Sequence, residues 1–97
     1  MNKVVFHPKA IQELSHTVSH YYDIDKSLSL RFIDSIENGI KFIQENQLSC
    51  PIMIDDFRKY KIRKFPYGII YKVKGKTISI IALMHLHRKP FYWLSDR

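Results

Sequence analysis

The sequence predicts an α+β fold: a short N-terminal strand, a helical hairpin, then a three-stranded antiparallel meander, with the helices packed on one face of the sheet. Three observations predict it. Apolar residues recur at helical spacing in the first half, among them Ile11, Leu14 and Val18, then Phe32, Ile36, Ile40 and Ile43. From residue 58 onward they alternate with polar ones at strand spacing. Two turn signals, Phe65-Pro66 and Lys74-Gly75-Lys76, cut that second part into three runs.

In chain order, Lys3-Val4-Val5-Phe6 is a short β-branched run and reads as the first strand. Pro8 suits a first helical turn, where its missing N–H costs nothing, so a helix is expected over 8–22. Asp23-Ile24-Asp25 breaks the pattern, and Ser27 is the expected N-cap of a second helix that fades near Asn46. Gly39 stands inside it at a cost of roughly 1 kcal/mol against alanine. Residues 47–57 read as a connection, with Cys50-Pro51 opposing helix and Asp55-Asp56 marking a turn. Strands are expected at about 58–65, 67–74 and 77–87. Alternation puts Tyr67, Ile69, Tyr71 and Val73 on one face of the second. In the third it groups Ile78, Ile80, Ala82, Met84 and Leu86 against Ile81, Leu83, His85 and His87. No repeat, low-complexity tract or linker divides the chain, so residues 1–97 are read as one domain.

Charge is unevenly spread. Residues 1–50 hold five Lys/Arg against six acids, whereas residues 51–97 hold eleven against Asp55, Asp56 and Asp96, which accounts for the net +7. From Phe57 to Trp93 there are ten basic residues and no Asp or Glu. Such asymmetry concerns partners, a nucleic acid or an acidic protein, rather than fold. The longest apolar run, Ile78 to Leu86, is too short to span a bilayer, and the N-terminus lacks a signal-peptide core. A lone Cys50 suits a reducing compartment, so a cytoplasmic protein away from membranes is expected.

The residues with chemistry to offer gather at the end of the last strand: His85, His87, Arg88, Lys89 and Tyr92. Cleaving RNA through its 2′-hydroxyl needs a base, an acid and cations where charge builds on the phosphate. Histidine can take either proton role near neutral pH, and arginine offers a forked donor. His85 or His87 for proton transfer, Arg88 and Arg63 for phosphate charge, and Lys59, Lys61 and Lys89 for docking are the candidate set. Ordinary strand-end polar residues facing solvent are the competing reading. His16 and His20 stand at zinc-compatible i, i+4 spacing, but without further ligands they read as an exposed helix face. Without a Gly-rich phosphate loop or Cys-x-x-Cys, no metal and no cofactor are expected.

The run Arg63-Lys64-Phe65-Pro66-Tyr67-Gly68-Ile69-Ile70-Tyr71-Lys72-Val73, followed by Ile80-Ile81-Ala82-Leu83-Met84-His85-Leu86-His87-Arg88-Lys89-Pro90 and Trp93, resembles the RelE/ParE toxin superfamily. Its "plasmid stabilisation" members carry a similar FPY-x-x-x-Y-x-V run and a later A-x-x-H-x-x-R-x-P-x-x-W tail. The resemblance implies the toxin of a type II toxin–antitoxin pair, neutralised by a cognate antitoxin that wraps its surface. It also implies one of two targets. RelE-like members cut messenger RNA on the ribosome, whereas ParE-like members poison DNA gyrase and lack the catalytic set. Against the ribonucleases, Lys59 and Lys61 match strand lysines, and Tyr92 lies near their terminal tyrosine. Gly68 and His87 stand where those enzymes carry arginines. The leading expectation is ribosome-dependent mRNA cleavage; the alternatives are gyrase binding without chemistry and a non-toxic binding module. Phe91, Tyr92 and Trp93 are expected as an exposed apolar rim beside the basic sheet, suited to an acidic amphipathic antitoxin segment whose binding weakens with salt.

Overall fold

The computed structural model describes residues 2–97. Strand β1 (Lys3–Phe6) leads into helices α1 (Pro8–Ile24) and α2 (Lys26–Glu45), followed by β2 (Ile52–Ile54), β3 (Phe57–Lys61), β4 (Tyr67–Lys74) and β5 (Thr77–His85). The strands form one five-stranded sheet in the order β1-β5-β4-β3-β2. Successive strands from β2 to β5 pair antiparallel, while β1 lies parallel to β5, with Val4 opposite Ile78 and Phe6 opposite Ile80.

Local chemistry explains the helix ends. Pro8 opens α1, and the His7 Nδ1 accepts the Lys9 N–H at 3.1 Å. The hinge between the helices is a single residue, Asp25, whose N–H closes α1 on the Tyr21 carbonyl while its carboxylate accepts the Ser27 N–H at 2.8 Å. Asp25, not Ser27, is therefore the N-cap of α2. A carboxylate at a helix N-terminus also meets the positive end of the helix dipole, an advantage a hydroxyl lacks. The hydrogen bonds from Ser27 hold the Asp25 carboxyl below its ordinary pKa.

Strand lengths differ from the spacing-based expectation in three ways. Ile52–Ile54 forms an extra edge strand folded back on β3 through Asp55-Asp56, with Asp55 left-handed at φ 51°. The third meander strand ends at His85 and the first at Lys61, so His87 and Arg63 lie outside the sheet. Only β4 spans the expected residues, ending in a turn where Gly75 takes φ 61°.

A β-bulge then redistributes the faces of β5. Ile70 pairs with Ala82 but Tyr71 with Ile80, so Ile81 is the extra residue. Before the bulge Ile78 and Ile80 point toward the helices; after it Leu83 does, while Ala82 and Met84 point away. The expected grouping of Ile78, Ile80, Ala82 and Met84 is thereby split. Two cores result. The larger packs α1 and α2 onto the sheet through Phe32, Ile36, Ile43, Ile69 and Tyr71. Here α2 comes so close that a Cβ on Gly39 would stand 2.8 Å from the Tyr60 ring, which accounts for glycine in mid-helix. The smaller core lies on the opposite face, where Trp93 covers Ile70, Ala82 and Met84. Trp93 is fully buried, at 0% exposure, so it is not part of an exposed rim; Phe91 is exposed and Tyr92 half-buried. An indole has enough apolar area to roof a strand pair that would otherwise face water.

Candidate functional site

The helix-free face of the sheet is cationic. Strand alternation sends Tyr67, Ile69 and Tyr71 toward the helices, so Gly68, Ile70, Lys72 and Lys74 face the other way. Lys59 joins them: a Cβ on Gly68 would meet the Lys59 Cγ and Cδ at 3.0 and 3.1 Å. Lys61, opposite Gly68, is on the same face. The Lys72 ammonium sits 5.3 Å from the Phe57 ring centroid, and Phe57 packs edge-on against Trp93 at 4.9 Å. Lys59, Lys61, Lys72 and Lys74 thus line an open surface whose two strands contain no acid.

His85, by contrast, lies on the helix side. Its ring meets Tyr67 edge-on at 5.0 Å and His87 at 5.4 Å. The His87 N–H donates to the His85 Nδ1 at 3.1 Å, so the neutral His85 ring carries its proton on Nε2. A cleft of about 140 Å³ joins His85 to Glu13, His16 and Arg88. The Arg88 guanidinium stacks 3.8 Å over the Tyr92 ring, and Lys89 is exposed next to it. Arg63 is exposed in the β3–β4 turn, facing α2. The structure therefore gathers His85, His87, Arg88 and Tyr92 at one end of β5. It places Lys59 and Lys61 on the opposite face and Arg63 at a third location.

Beside this cluster lies a network that spacing did not reveal. Strand β1 accompanies β5 only as far as Ile80, leaving the backbone edge of residues 81–83 without a partner strand. Side chains fill the gap. The Glu13 carboxylate accepts the Leu83 N–H at 3.0 Å, the Tyr92 hydroxyl, and both Arg97 Nη groups at 2.7 and 3.1 Å. Arg97 Nη1 also reaches the Ile81 carbonyl at 3.3 Å. Lys9 and Asp96 form an ion pair beyond it. The C-terminal residues are thus fastened across an open strand edge that would otherwise invite another chain. Burial pushes the Tyr92 phenol pKa up, and its bond to Glu13 pushes it further. Burial opposes the Arg97 charge, but Glu13 outweighs it and the Arg97 pKa moves up. Spacing did not point to Glu13: the stripe read from the sequence runs through Ile11, Leu14 and Val18, whereas the structure exposes Ile11 and buries Ala10 and Thr17, with Glu13 between them where an acid needs a partner.

The Tyr92 shift has a consequence for stability. A phenol whose folded pKa lies above its ordinary 10.0 stabilises the fold fully below that pH and loses its contribution as pH rises beyond it. Wild-type melting temperature is therefore expected to fall more steeply above about pH 10 than that of Tyr92→Phe. At pH 7 the same variant should be less stable by about 1.5–3 kcal/mol, the range for a hydrogen bond to a charged group. Parallel alkaline slopes in thermal melts would remove this account.

A family model described as the ParE toxin of the type II toxin–antitoxin system parDE matches residues 4–90. Among solved structures the chain is similar to one from a chromosomal ParDE toxin–antitoxin system of P. aeruginosa, with a TM-score of 0.75 and 23% sequence identity. That likeness covers 89% of this chain and 97% of the other, and it concerns the fold. No curated relative matches the sequence.

Proposed function

Because the chain belongs to the ParE toxins of type II toxin–antitoxin systems, we propose that it arrests growth by binding DNA gyrase, with no bond-breaking chemistry of its own. One observation carries this: Lys59 and Lys61, the lysines suited to docking a polyanion, lie on the opposite side of the sheet from His85. Cleavage at a 2′-hydroxyl needs base, acid and phosphate clamp around one phosphorus atom, and Arg88, the arginine beside the histidines, has its guanidinium stacked on the Tyr92 ring. A strand held by Lys59 and Lys61 is separated from His85 by the thickness of the sheet. Tyr92, the remaining candidate acid, has its hydroxyl committed to Glu13 and its pKa raised. Gly68 adds to this, since the Lys59 stem occupies the space where a larger side chain would stand.

A binding toxin needs a stable surface and two partners, target and antitoxin. We place the cognate antitoxin on the lysine face, where an acidic segment laid along Lys59, Lys61, Lys72 and Lys74 neutralises a surface that no acid of β3 or β4 balances. The target is tested by induction of the toxin. DNA breaks with intact messenger RNA are expected, and purified toxin should inhibit gyrase supercoiling. His85→Ala and His87→Ala are expected to arrest growth within about twofold of wild type, whereas loss of a proton-transfer group lowers catalysis by about 10²–10⁴-fold. Cleaved messages on translating ribosomes, abolished by either substitution, would replace gyrase binding with ribonuclease activity.

A further inference from the structure

The turn between β3 and β4 holds a residue in a conformation its side chain does not favour. The Ile62 N–H donates to the Tyr67 carbonyl at 2.9 Å, closing a loop that sends the Phe65 ring between Phe32 at 5.1 Å and Tyr21 at 5.3 Å. Turning that ring inward leaves Lys64 left-handed at φ 68°. Glycine or asparagine adopts this region with least strain, whereas in lysine the Cβ crowds the backbone. The fold therefore accounts for the backbone shape but not for lysine at this position. Among the described residues the Lys64 ammonium has no ion-pair partner, and the side chain is exposed. Such strain gathers at functional sites, and of the left-handed side chains Asp55, Lys64 and Phe91 it is Lys64 that lines an open cleft.

Lys64 also stands where two adjoining open clefts meet, of about 270 and about 360 Å³, between α2 and the turn. Ser35 lines both. Arg31, Arg63 and Lys64 bring three positive charges to their walls against one acid, Asp34, a surplus of two. Phe65 offers an apolar edge. A concave cationic surface of this kind fits a protein segment carrying carboxylates beside an apolar residue.

We propose that this groove takes an acidic segment of the toxin's target protein, with Lys64 as a direct contact. The inference rests on the reading that the chain acts by binding a protein target. The target, rather than the antitoxin, is the occupant for a physical reason. A binding toxin has two partners, and with the lysine face given to the antitoxin this second cationic surface is left for the target. The lysine face assigned above to the antitoxin is a different surface: its residues stand on β3 and β4, whereas the groove lies between α2 and the turn.

The test compares full-length wild type with Lys64→Gly, Lys64→Asn and Lys64→Arg. Lys64→Gly relieves the strain, so its melting temperature is expected to equal or exceed that of wild type by up to about 4 °C. The dose for half-maximal growth arrest, and for half-inhibition of gyrase supercoiling, is expected to rise at least about tenfold in the Gly and Asn variants, as for one lost charged contact. Lys64→Arg is expected to retain most potency, and antitoxin affinity should stay within about twofold throughout. Full toxicity in Lys64→Gly and Lys64→Asn overturns the proposal. So does a lowered melting temperature in Lys64→Gly, or an antitoxin affinity that falls in step with toxicity. The gyrase reading fails separately: wild type that arrests growth without inhibiting gyrase removes that target, and growth arrest alone then decides the groove.

Discussion

Glu13→Ala is expected to destabilise the protein by about 3 kcal/mol, the lower end for breaking a buried pair, because the Arg97 guanidinium then keeps only Asp96, 3.7 Å from its Nε, as a counter-charge. The Arg97 side chain is 7% exposed and that of Glu13 16%, so water screens the pair poorly. The same substitution strands the Leu83 N–H and releases the Tyr92 hydroxyl. For a domain whose whole stability is about 5–15 kcal/mol, this is a large fraction. Glu13→Gln should cost less, since its amide oxygen still accepts the Leu83 N–H while the charge is lost. Urea denaturation followed by circular dichroism measures both, and a double-mutant cycle with Arg97→Ala isolates the pair. A Glu13→Ala cost under about 1 kcal/mol would mean that the C-terminal residues are not held through this carboxylate.

Trp93→Ala is the second large effect, expected at about 3–5 kcal/mol, the range for emptying a buried aromatic site. The indole roofs the helix-free side of β4 and β5, and its loss exposes Ile70 and Met84 where no helix can cover them. Trp93→Phe should be milder. The indole Nε1 is buried with no hydrogen-bond partner among the described residues, so phenylalanine removes an unsatisfied donor while keeping most of the apolar contact. As the single tryptophan, Trp93 reports on itself: native emission should lie to the blue of the denatured chain and shift red on unfolding. Native emission as red as that of the unfolded chain would contradict the burial. Because residues 90–97 reach both Trp93 and the Glu13 network, destabilising either is expected to loosen the other, and their costs should not add.

The helices, the β4 strand and both turns of the meander were legible because their signals are local. A stripe at 3.6-residue spacing, an alternation at two, and Phe65-Pro66 or Lys74-Gly75-Lys76 each act within a few residues. The candidate site was legible in part: His85, His87 and Arg88 do meet at the end of β5, since they are neighbours in sequence. Spacing alone groups Lys59 and Lys61 with the histidines, because sequence does not say which way a strand's alternating faces are turned relative to the next.

What the chain's own order of residues determined was the inventory: two amphipathic helices, a basic β meander, and a surplus of positive charge confined to the second half. What only the folded arrangement decided was adjacency across long separations. The bulge at Ile81 moved Ala82 and Met84 to the second core, the parallel seat of β1 left the edge of β5 open, and Glu13 came to hold Arg97. Periodicity is set by bonds between near neighbours, whereas the partner of a buried charge or of an unpaired strand edge is whichever side chain packing brings there.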